Sequence, residues 1–90
     1  MHADIKKKSL RRLSLIRGQV DGLTKMIHAE RYCVDIIIQV SAVKEALSGV
    51  EDLVLENHLT THVIQQIKDG KEKKATQEIL KVYKLAQKKK

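Results

Sequence analysis

Apolar residues recur along this chain at the three-to-four-residue spacing of helices, not at the alternation of strands. Between about residues 4 and 28, Ile5, Leu10, Leu13, Ile16, Val20, Leu23 and Ile27 form one apolar stripe. Asp4 stands at its start, as an N-cap or first-turn acid. Ala29-Glu30-Arg31 is a short break, suited to an antiparallel helical hairpin. From about residue 32 to 68, positions such as Val34, Ile37, Val43, Leu47, Val54, Val63 and Ile67 cover a wide arc. An arc that wide predicts a long central helix packed against both the first helix and a partner. Asp69-Gly70 is a stop, with Gly70 suited to the left-handed position past a helix end. Lys71 to Lys74 read as a charged linker, followed by a third helix over about 75–86. The terminal Gln87-Lys88-Lys89-Lys90 reads as a frayed end. The expected fold class is all-α, a three-helix chain forming a single domain over residues 1–90.

Composition sharpens that picture. The 90 residues are 42% hydrophobic but include no Phe or Trp and only two Tyr, so the core is aliphatic. A slender chain of this length has a marginal core alone and gains by burying surface in an oligomer. Small residues at Ala42, Ala46 and Gly49 would let two central helices approach closely near position 46. The single cysteine excludes an intramolecular disulfide and suits a reducing, cytoplasmic setting. The N-terminal MHADIKKK has no apolar run after its charges, so no secretory leader is expected. No run is apolar enough to span a membrane.

The net charge of +7 points to a polyanionic partner, most simply nucleic acid. The cations of the first helix, Arg12 and Arg17 with Arg11, Lys6, Lys7, Lys8 and Lys25, lie between its apolar positions. No helix-turn-helix, zinc-finger or ribbon signature occurs, so DNA contact would come from a cationic surface of the assembly. An enzyme is disfavoured, as is a small organic substrate. No acid–base pair, nucleophile–base spacing or phosphate-cradling glycine loop stands out.

The remaining chemistry lies in Cys33, His58 and His62. His58 and His62 are four apart and share a helical face. A helix rising about 1.5 Å per residue separates Cys33 from His58 by roughly 37 Å. Singly, a cysteine at a helix start is an ordinary small hydrophobe, and two histidines at this spacing are ordinary surface. Together they form a donor set if a second copy of the helix runs antiparallel to the first. A metal site would then be shared between subunits. A thiolate with two imidazoles suits Cu(I) or Zn(II) or, with further ligands, Ni(II) and Co(II).

Tyr32-Cys33-Val34-Asp35-Ile36, Gln39, Ala42-Val43, His58-Leu59-Thr60-Thr61-His62 and Arg17-Gly18-Gln19-Val20 resemble the bacterial metal-sensing repressors of the CsoR/RcnR type. The resemblance runs from about residue 10 to 85. It implies an antiparallel four-helix-bundle dimer that assembles into a homotetramer. It also implies operator DNA as partner, and release from the operator when inducer binds. By resemblance, Cys33 of one protomer joins His58 and His62 of the other, Tyr32 and Glu78 form an outer pair that orients a liganding His, and Arg12 contacts the operator. His62 departs from the copper branch, where a second cysteine is usual. Tyr32 and Glu78 favour copper, so Cu(I) is the expected inducer. The alternative is Ni(II) or Co(II), with His2 and the α-amine adding ligands. Persulfide sensing would need a second cysteine, and formaldehyde sensing an N-terminal proline.

Overall fold

The computed structural model describes residues 1–87, and among them there are helices and turns but no strand. Helix α1 runs Ala3–His28 and α2 runs Cys33–His58. A five-residue π turn, Leu59–Val63, leads into α3, Ile64–Lys68, and α4 runs Glu72–Gln87. The expected central helix over 32–68 is therefore two α segments joined through a wider turn. The chain divides into two compact units, Met1–Glu56 and a second beginning at Asn57. Lys88, Lys89 and Lys90 of the expected frayed end lie outside the described residues.

In the first unit, His2 is the N-cap of α1, with extended backbone and its carbonyl accepting the Lys6 N–H at 3.0 Å. Asp4 lies in the first turn, and Lys25 and His28 lie in the last. Each sign of charge thus opposes the helix dipole favourably. Ile5, Ile16 and Val43 are buried, with the Ser9 side chain among the buried polar groups. A groove of about 390 Å³ runs between α1 and α2, lined in part by Arg12, Ile16, Ala42, Ala46 and Gly49. The small-residue stripe expected at a subunit crossing therefore lines a groove within one chain. Arg12 lies over Gly49, where a Cβ would meet its Nη1 at 2.9 Å. Positions 12 and 49 are nearly equidistant from the connecting turn, as in an antiparallel hairpin. Large apolar side chains remain outside this core, Ile37 and Ile38 each 62% exposed.

The two helix ends that reverse the chain are built alike. Arg31 N–H bonds Met26 carbonyl and Glu30 N–H bonds Ile27 carbonyl, both at 3.0 Å. Lys71 N–H bonds Gln66 carbonyl at 2.7 Å and Gly70 N–H bonds Ile67 carbonyl at 3.1 Å. This is the Schellman pattern, which requires a left-handed residue just past the cap. Gly70 supplies it at φ +74°, but at the first turn Glu30 is forced to φ +49°. The expected linker Lys71–Lys74 is mostly absent. With the chain already reversed at Gly70, the Lys71 carbonyl accepts the Ala75 N–H at 3.1 Å. Glu72 then opens α4 with an acid in the first turn.

Because a left-handed non-glycine residue is strained, Glu30→Gly is expected to stabilise the protein by about 1 kcal/mol. Urea unfolding at fixed protein concentration measures this. An unchanged or lowered midpoint would contradict the strain at that turn.

Candidate metal centre

The second unit begins with Asn57, whose side chain is buried and whose carbonyl accepts both neighbouring threonine hydroxyls. Thr60 Oγ1 donates to it at 3.3 Å, and Thr61 Oγ1 donates more closely. Such back-bonds compete for a carbonyl the α-helical ladder would use, and they bend helices. The β-branched run Thr60-Thr61 and Val63-Ile64 adds crowding around the turn. Here the helix opens into the π turn, whose last residue, Val63, is buried.

His58 immediately precedes this turn and His62 lies within it, their rings stacked with centroids 5.5 Å apart and planes 29° from parallel. His58 Nε2 lies 3.1 Å from Glu78 Oε2, and Gln66 Nε2 donates to the same oxygen at 3.2 Å. Glu78 comes from α4 and Gln66 from α3, so this carboxylate ties both helices to the His58 ring. The Gln66 hydrogen bond holds the Glu78 carboxyl below its ordinary value of 4.5. Partial desolvation opposes that shift, while positive charge on His58 and Lys74 adds to it. With Nε2 occupied by Glu78, the ring nitrogen of His58 left to bind a metal is Nδ1.

Cys33 is the first residue of α2 and is a free, exposed thiol. Tyr32 precedes it, 71% exposed, and its carbonyl accepts the Asp35 N–H at 3.0 Å. Among the described residues no three His, Cys, Asp or Glu side chains gather closely enough to hold a metal. In the second unit His58 contacts both Glu78 and His62, while Cys33 and Tyr32 stand in the first. Lys6, Lys7, Lys8, Arg11, Arg12, Arg17 and Lys25 are all exposed along α1. Two features escaped the sequence reasoning, the π turn and Gln66. The back-bonding pair Thr60-Thr61 was the available signal for the first. Gln66 could be found only after the turn had set its direction.

An all-helical chain with a carboxylate-braced histidine pair, an exposed cysteine at a helix start and a basic first helix has the parts of a metal-responsive DNA-binding protein. The chain belongs to the family of metal-sensitive transcriptional repressors, whose sequence model matches residues 5–85. It is 44% identical to the copper-sensing transcriptional repressor CsoR of Bacillus subtilis over 73 residues, 81% of this chain and 72% of that protein. It is 36% identical to CsoR of Mycobacterium tuberculosis over 75 residues, 83% of this chain and 63% of that one. The chain thus spans less than two thirds of the mycobacterial relative. Its fold is similar to the crystal structure of the copper-sensing repressor CsoR with Cu(I) from Geobacillus thermodenitrificans. The TM-score is 0.85 and the identity 34%, covering 94% of this chain and 88% of that one. The family is regulatory, and among the described residues no helix is long and apolar enough to cross a membrane.

The depressed Glu78 carboxyl fixes the sign of a pH effect. Its stabilising contribution is complete above pH 4.5 and is lost as pH falls through the lower folded value. Being about a third exposed, the group is screened and the contribution is small. Urea midpoints taken between about pH 3 and 6 should fall less steeply in Glu78→Gln than in the unsubstituted protein. Parallel curves would contradict the assignment.

Proposed function

We propose that this protein is a copper-responsive repressor that holds operator DNA in its metal-free form and leaves when Cu(I) binds. The site is formed by Cys33 of one subunit with His58 and His62 of the partner subunit. The observation that carries this reading is the His58–Glu78 contact at 3.1 Å, which occupies Nε2 and leaves Nδ1 for a metal. The donor chemistry agrees, since a thiolate with two imidazoles is a soft-to-borderline set suited to Cu(I). The relatives named above are copper sensors, which disfavours the nickel/cobalt alternative.

The unit of function is a homodimer that pairs into a homotetramer in the cytoplasm. The exposed aliphatic side chains of α1 and α2 are its source of interface area. When bound, copper supplies a link between two donor groups that one chain keeps at opposite ends of a helix. Cys33 is the first residue of one α2, while His58 is the last residue of the other and His62 lies in the turn that follows it. Tyr32 lies beside the sulfur ligand, and Glu78 hands any movement of His58 to α4. Arg12 and Arg17, with Arg11, Lys6, Lys7, Lys8 and Lys25 in support, then lose the spacing that matches DNA phosphates. Phosphate contacts position a protein without reading sequence, so operator choice rests on groove shape and deformability. A coupling of about 1–3 kcal/mol suffices, since it weakens binding about 5- to 150-fold.

Anaerobic titration of the operator complex tests this. Cu(I) should release the protein at lower concentration than Ni(II), Co(II) or Zn(II), and Cys33→Ala should stay bound throughout. Release of Cys33→Ala by Cu(I), or preferential release by Ni(II), would overturn the reading. Arg12→Ala should weaken metal-free binding and flatten its salt dependence by about one unit of slope per phosphate contact removed. An unchanged slope would place Arg12 away from the DNA.

A further inference from the structure

We propose that Gln66 is a positioning residue for metal binding, fixing the Glu78 carboxylate that determines which nitrogen of His58 is offered to the metal. This rests on the copper reading above and extends it to a residue outside the ligand set. His58 Nε2 at 3.1 Å and Gln66 Nε2 at 3.2 Å approach the same atom, Glu78 Oε2. The two donors come from either side of the π turn, so the carboxylate oxygen is fixed from two directions. With one donor only, a carboxylate that is about a third exposed could swing into water and release the ring.

The amide of Gln66 is oriented for this purpose. Its Oε1 is buried and has no hydrogen-bond partner among the described residues, so none of them holds that end of the side chain. Turning the amide over would set its oxygen against a carboxylate that has no proton to give. Only the donating orientation is favourable, and among the described residues the one side-chain hydrogen bond it makes is to Glu78.

The π turn explains why this residue can reach. At about 100° per residue, positions eight apart on an α-helix lie about 80° apart around the axis. A single π turn absorbs one extra residue, so His58 and Gln66 are separated by about seven α-helical steps, within about 20° of one direction. Both then face Glu78 on α4. The widened turn between Leu59 and Val63 thus brings Gln66 onto the face of His58.

The test compares Gln66→Met, which keeps length and removes the donor, with the unsubstituted protein, with helicity checked by circular dichroism. Anaerobic competition should show Cu(I) affinity falling about tenfold or more at unchanged stoichiometry, as for other outer partners of metal ligands. In the metal-free protein, the His58 Nε2–H proton seen by NMR should exchange faster with solvent. In a Glu78→Gln background, Gln66→Met should change neither quantity further, because its effect passes through the carboxylate. Unsubstituted affinity and exchange in Gln66→Met, or losses of equal size with and without Glu78, would overturn the proposal. Gln66→Leu repeats the test if the methionine variant loses helicity. In the unsubstituted protein, a Gln66 side-chain amide proton should be protected from exchange, and unprotected protons would also overturn it. The copper reading fails separately, if His58→Ala keeps full Cu(I) affinity, and the NMR comparison then still decides the link from Gln66 to His58.

Discussion

One helix carries the sulfur donor at its first residue and an imidazole at its last. Cys33 opens α2 and His58 closes it, with helical conformation unbroken between them. A rod of that kind cannot fold its own ends together, and among the described residues no complete metal cluster forms within the chain. The proposed ligands Cys33 and His58 are the first and last residues of α2, and His62 lies in the turn that follows it. In the proposed dimer, a second copy running the other way would bring one sulfur and two imidazoles together at each end, so that a local binding event would become a constraint on how subunits fit.

Magnitudes favour re-registration of the proposed assembly over its dissolution. Each fully buried aliphatic side chain is worth about 1.5–3 kcal/mol, and several large ones stand exposed on α1 and α2. An interface built from these outweighs the few kcal/mol that release from DNA requires. The proposed signal therefore works by shifting packed helices. The polar contacts that could carry it are few. Glu78 accepts from His58 before the π turn and from Gln66 after it, so a change at the ring is felt on α3 and α4 together.

Much of the fold is legible in the amino-acid sequence. The apolar stripe from Ile5 to Ile27 marks α1, whose observed bounds are Ala3–His28. Gly70 announces its own left-handed turn. Glu30 does not, because nothing local favours a glutamate at positive φ, and the demand for a left-handed residue arises only from the geometry of the helix end. The start of α4 at Glu72 is not marked by periodicity, because Glu72-Lys73-Lys74 is charged and lacks an apolar stripe. Charged residues are good helix formers once a first-turn acid and a free preceding carbonyl are available. The histidine pair and Glu78 could be named from residue type and resemblance. Their partner Gln66 could not, since an uninterrupted α-helix would turn it away from His58. The register changes by one residue at Thr60-Thr61, a backbone event that side-chain periodicity conceals.

Mixing two inactive variants tests the shared site most directly. Cys33→Ala and His58→Ala subunits, each with its own tag, are co-expressed, and the species carrying both tags is purified. Neither variant alone should bind Cu(I) tightly, while the mixed dimer should regain one tight site, built from the cysteine of one subunit and the two histidines of the other. A mixed dimer that binds no more tightly than its parents, or a Cys33→Ala protein that binds Cu(I) normally, would contradict a site made by two chains.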